Sequence, residues 1–161
     1  MDIRRMHMPY EIRWARKDEW IPAIKMIWQT FIKYEGRIYS KEGIDNFFEF
    51  ITGEELYVSF LKGEYWLMVA LDKGDIIGAG SVRNRNHLSL LFVDDAYHRR
   101  GIGSTILRKL CHYLEKEAGE RYMSLQAAPG AVNFYRKQGF RAVRPEIEYD
   151  GIRVTPMEKV F

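Results

Sequence analysis

The reading of this chain turns on Phe92-Val93-Asp94-Asp95-Ala96-Tyr97-His98-Arg99-Arg100-Gly101-Ile102-Gly103-Ser104. The residues leading into it, His87 to Val93, are apolar almost throughout, the pattern of a strand buried on both faces. The residues after it carry helical spacing from about Ile102 to Lys116. A strand therefore runs into a basic, glycine-bearing turn, and the turn opens a helix. The first amides of a helix have no internal partner and point outward, and the helix dipole adds positive potential there. Gly101 and Gly103 let a ligand come close to the backbone, while Arg99 and Arg100 add charge. The junction is suited to a phosphate or pyrophosphate.

Three phosphate loops compete for this segment. A Walker loop needs Gly-Lys followed by Ser or Thr, which this stretch lacks. A dinucleotide fingerprint needs a third glycine, and Ile106 stands in its place. Glu120 has about the spacing of the ribose-binding acid but precedes a strand, where the motif wants a strand end. Too little chain follows for that fold. The third reading is a coenzyme A loop.

Working outward, residues 10–15 alternate and read as a first strand. Asp18 is placed to cap a helix running to about Tyr34, with Pro22 tolerated in its first turn. Ser40 opens a shorter helix that Gly53 ends. Residues 65–71 and 76–82 flank the turn Asp72-Lys73-Gly74-Asp75 as a hairpin. Beyond the loop helix come a strand over Tyr122–Ala127 and a short helix over 131–137 with Gly139 as its C-terminal cap. Two closing strands follow, split near Asp150-Gly151. This order predicts an α/β (α+β) fold. Its mixed sheet has six to seven strands, antiparallel early and parallel around the glycine loop, flanked by about four helices. Residues 1–9 are expected to form a flexible tail and residues 10–161 a single domain.

Composition excludes several classes. With one cysteine, Cys111, there is no intrachain disulfide, and a reducing cytoplasm is the default expectation. No apolar run approaches the length of a bilayer span, so no membrane partner is expected. A net charge of +3 is too mild to argue for nucleic acid. The four histidines and one cysteine have no metal-ligand spacing, so no metal is expected.

The decisive stretch resembles motif A of the GNAT superfamily of N-acetyltransferases, Arg/Gln-x-x-Gly-x-Gly/Ala. A second stretch, Ala131-Val132-Asn133-Phe134-Tyr135-Arg136-Lys137-Gln138-Gly139-Phe140, resembles that family's motif B, where Phe-Tyr and Gly-Phe recur at this spacing. The element order also matches, so the resemblance covers roughly residues 10 to 160. Two positions depart from the pattern. His98 stands where the family prefers Gln or Arg, and Ala128 where many members carry Asn.

The resemblance implies direct transfer of an acetyl group from acetyl-CoA to a primary amine on a small molecule or peptide. It places the pantetheine arm along the backbone of Leu91, Phe92 and Val93, one of whose amides would face the oxyanion. His98, Arg99, Arg100, Gly101, Ile102, Gly103 and Ser104 would hold the pyrophosphate. Asn133 is the residue available to replace the contact missing at Ala128. Tyr135 matches the motif B tyrosine that donates to the departing sulfur. His87 lies about 20 Å along the strand from Val93, comparable to the reach of the arm. Alternation puts it on one face with Ser89, Leu91 and Val93. It is a candidate base, with a water chain as the other option. Tyr34, Glu35 and Tyr39 would wall the acceptor site, with residues 147–157 opposite. A non-catalytic acyl-CoA-binding domain would keep the loop and lack turnover, and a homodimer is left open.

Overall fold

Lys73 and Gly74 hold φ of 50° and 88°. Positive φ at both central residues is what a two-residue hairpin turn demands, because its twist then matches the strands. The turn joins β2 (Trp66–Asp72) to β3 (Asp75–Arg83), with Asp72 opposite Asp75. Asn84 and Arg85, at φ 51° and 75°, make a second tight reversal into β4 (His87–Val93). The three strands form an antiparallel meander, flanked by β1 (Glu11–Trp14) on β2. The computed structural model describes residues 9–149 and 151–161. Residues 1–8 of the expected tail, and Asp150, lie outside the described residues.

Before the meander come α1 (Trp20–Glu35), α2 (Lys41–Thr52) and α3 (Glu54–Leu61). Asp18 does not cap α1. It sits inside a 3-10 turn, Lys17–Glu19, that leads into the helix, and Glu19 at the N-cap of α1 closes this turn and does not cap the helix with its side chain. The Glu19 carboxylate accepts from the Arg16 amide at 2.7 Å and from both ends of the Arg13 guanidinium at 2.8 and 2.9 Å. Ser40 caps α2 as expected, its Oγ accepting from the Gly43 amide. Gly53 ends α2 but also opens α3, in extended backbone between the two. Glu54 and Glu55 in the first turn of α3 complement the helix dipole.

After β4 come α4 (Ile102–Lys116), β5 (Tyr122–Ala127), α5 (Val132–Lys137), β6 (Arg141–Ala142), β7 (Ile147–Tyr149) and β8 (Ile152–Val160). The main sheet runs β1-β2-β3-β4-β5-β8-β6, with β7 paired to β8 at its side. Among the described residues only β4 and β5 pair in parallel. The mixed α/β architecture is the expected one, with α3 and the two-residue β6 added.

A core fills each face of the sheet. On one side α4 buries Ile106, Leu107, Leu110 and Leu114 against Met123 and Leu125 of β5. Each such side chain contributes roughly 1.5–3 kcal/mol on burial. On the other, Ala23, Ile24 and Ile27 of α1 meet Val69, Ala79 and Leu90. The approach of α4 depends on Gly80, where a Cβ would stand 2.5 Å from Ile106 Cγ2.

Candidate active site

The sheet opens at its centre. β4 and β5 pair only at His87–Ser124 and Leu88–Leu125, and beyond that point they part. On its other side β4 carries an extra residue. Ser81 faces Leu90 and Val82 faces Leu88, which leaves Ser89 as a bulge. The bulge resets the alternation. Leu88 packs on the α4 side and Leu90 on the α1 side, although they are two residues apart. His87 therefore does not share a face with Leu91 and Val93 as plain alternation predicts. Bulges commonly bend a strand beside an active site. Here a buried hydroxyl holds the bend, with Tyr65 Oη 2.7 Å from Ser81 Oγ and donating to Ser89 Oγ at 3.0 Å.

Below the fork lies a cavity of about 310 Å³. Phe31, Phe47 and Phe50 from α1 and α2 give it an aromatic wall, and Ile152 and Val154 of β8 close the opposite side. The α2 end is tied to that side, with Ser40 Oγ donating to the Gly151 carbonyl at 3.1 Å. Of the candidate residues, Glu35, Tyr39, His87, Leu91, Phe92 and Tyr135 all line this one space. Asn133 is exposed on α5 and Tyr34 stands elsewhere. The Tyr34 ring lies against His98 with centroids 5.1 Å apart, and Lys33 pairs with Asp95. The C-terminal turn of α1 thus leans on the glycine loop.

Burial sets the protonation states in the cavity. It pushes the Glu35 carboxyl up to about 7. It pushes the Tyr135 and Tyr39 phenols up as well, and the Glu35 charge adds to both. His87 moves the other way, to about 4, chiefly by burial and then by the Arg83 charge. Its Nδ1 lies 2.9 Å from Ser124 Oγ. At neutral pH the imidazole is neutral, the phenols keep their protons, and Glu35 is close to half ionised.

The glycine loop is built as the sequence suggests. Gly101 takes φ 78°, in the left-handed region, and its carbonyl accepts from the Thr105 amide and hydroxyl at 3.0 and 2.7 Å. The amides of Ile102, Gly103 and Ser104 then form the first turn of α4. The side chains are disposed less simply. Arg100 donates to Tyr10 Oη at 2.8 Å and stacks over Tyr97, and His98 Nε2 lies 2.6 Å from the Val93 carbonyl. Ser104 Oγ accepts from Gln138 Nε2 at 3.2 Å, tying α4 to the end of α5. Among the described residues, no group of three or more His, Cys, Asp or Glu could hold a metal ion.

A fork between parallel strands, an amide-lined helix start at its mouth and a carboxyl beside a phenol in the cavity form one arrangement. Residues 36–161 match the model of the GNAT acetyltransferase domain. The chain belongs to the GNAT acetyltransferase family. One relative of this GNAT chain is serotonin N-acetyltransferase of Mesocricetus auratus, 30% identical over 88 residues. That match covers 55% of this chain and 42% of the relative's length. A GCN5-related N-acetyltransferase from Rhodopseudomonas palustris superposes with a TM-score of 0.80 at 19% identity, covering 94% of this chain and 95% of that one. The PaiA N-acetyltransferase of Thermoplasma acidophilum, solved with coenzyme A, gives 0.77 at 21% identity, covering 94% and 99%. At these identities the two structures establish the shared GNAT fold.

Two features of the site were not visible in the sequence. The Ser89 bulge leaves no mark on an apolar run, because it depends on the register of β3. Arg83 also lines the cavity, and its only local signal is its place before a tight turn.

Proposed function

We propose that this GNAT chain transfers the acetyl group of acetyl-CoA directly to a primary amine. The observation that carries the reading is the pairing of Glu35 with Tyr135 in one cavity below the β4–β5 fork. The helix-start amides of residues 101–104 would hold the pyrophosphate, and the backbone of Leu91 to Val93 would lie along the pantetheine arm. Acetyl-CoA itself supplies the activated thioester carbonyl.

The residues of this chain then manage two protons. An amine arrives as an ammonium and must be neutral to attack. Glu35, poised near neutrality, is suited to take that proton. His87, at about 4, has too little proton affinity to compete and serves as a neutral polar group on the wall. Tyr135 keeps its proton and stands as the donor to the departing sulfur. The two steps are linked, since the Glu35 charge is one cause of the raised Tyr135 pKa. Once Glu35 is protonated that repulsion is gone, and the phenol gives up its proton more readily. The Mesocricetus auratus relative is named for serotonin, a primary amine on a short chain carried by an aromatic ring. The aromatic wall here would likewise receive a ring.

The test is acetyl-CoA binding by calorimetry together with coenzyme A release over an amine panel. Binding with turnover is expected, and Tyr135→Phe should lower kcat by about 100-fold with little change in acetyl-CoA affinity. Tight binding without turnover on any amine would favour a non-catalytic acyl-CoA-binding domain.

A further inference from the structure

Arg83 closes β3 at the end of the cavity opposite the glycine loop. Its register partner is His87, the first residue of β4, whereas Val93 at the loop end pairs with Gly78. Six residues of strand separate the two ends, about 20 Å. Among the described residues that line the cavity, Glu35 and Arg83 are the only side chains that carry charge near neutral pH, and Glu35 does so in part. The other titratable groups facing the space are Tyr39, Tyr135 and His87, all neutral there.

Arg83 is poorly provided for by the protein. Its guanidinium lies over the Phe50 ring, with Cζ 5.4 Å from the centroid. Its Nε is buried without a hydrogen-bond partner. Glu49, Glu55 and Glu64 share a neighbouring depression with it, yet among the described residues no carboxylate pairs with it within 4.0 Å. A half-buried guanidinium with an unfilled edge is a carboxylate receptor, because its planar fork donates to two oxygens side by side. We propose that the acceptor carries a carboxylate as well as its amine, the amine facing Glu35 and Tyr135 and the carboxylate seated on Arg83.

This rests on the acetyl transfer proposed above and narrows its acceptor class. The aromatic wall between the two charged groups suits an apolar stretch separating amine from acid. A free amino acid and a peptide end bearing an acidic side chain share this chemistry, and the experiment separates them.

kcat/KM would be measured for matched pairs: 4-(2-aminoethyl)benzoate against phenethylamine, 6-aminohexanoate against hexylamine, and a peptide amide beginning with Glu against its Gln counterpart. The acid-bearing member of at least one pair should be preferred about tenfold or more, mainly through KM. The pair that shows the preference identifies the source. Arg83→Gln should bring that ratio close to one, and Arg83→Lys should restore part of it. If either variant fails to fold, the wild-type ratios and calorimetric binding of the free acids decide alone. Equal use of both members of every pair, or a ratio that survives Arg83→Gln, would overturn the proposal while leaving acetyl transfer intact. An absence of acetyl-CoA binding would instead remove the underlying reading and this one with it.

Discussion

Glu35 shows how one residue's surroundings set its chemistry. Its carboxyl has an ordinary value of 4.5 and is raised to about 7 by burial. As the base, it must be ionised to work, so kcat/KM should rise with pH through about 7. Glu35→Gln should remove that limb of the profile, whereas His87→Ala should leave it in place. A persistent limb near 7 in Glu35→Gln would transfer the role to another group. The same shift has a consequence for stability. Below 4.5 both states hold the proton; between 4.5 and about 7 the folded state holds one that the unfolded state releases. Stability therefore declines across that window, and above it the buried charge carries its full cost. Thermal melts should show Glu35→Gln gaining on the wild type from pH 5 to pH 8. In the sequence Glu35 is one acid among many beside aromatic residues. Its perturbed state depends on the half-buried space that α1, α2 and β8 enclose together.

At the scale of elements, the bend in β4 and the start of α4 divide the work. The bend depends on the Tyr65 hydroxyl reaching Ser81 and Ser89. Tyr65→Phe leaves the fully buried Ser81 hydroxyl without that partner and should cost about 1–3 kcal/mol in chemical denaturation. A larger fall in turnover than in acetyl-CoA affinity would show that the bend positions the reacting end. The start of α4 depends on Gly101 at φ 78°, a conformation that costs an L-residue roughly 1–2 kcal/mol. Gly101→Ala, which has open space around its Cβ, should weaken acetyl-CoA binding through the backbone alone. Calorimetry on the variant would measure this. The α4 helix and its glycine turn were legible because amphipathic spacing and glycine are local signals. Helix α3 was missed because Gly53 reads as a stop, yet in extended backbone it joins one helix to the next. The Asp18 cap failed for a related reason, since Glu19 one residue on reaches both Arg13 and the Arg16 amide.

For the whole molecule, the cofactor is expected to act as a staple. Its arm would lie across the fork where β4 and β5 part, and its pyrophosphate on α4, joining elements that contact each other weakly there. Acetyl-CoA at 100 times its dissociation constant should add about 2.7 kcal/mol of stability, read as a rise in melting temperature. No rise at saturating acetyl-CoA would count against the seat assigned to it. Motif spacing, helix periodicity and turn chemistry are short-range properties, so the chain's own letters determined the strand-loop-helix unit, the meander and the membership of the fold. The open fork, the reset face of His87, the merging of Glu35, Tyr135 and Arg83 into one cavity, and their protonation states were decided only in three dimensions. Each depends on register and burial between segments distant in the chain, where a single extra residue in β4 changes which side chains meet.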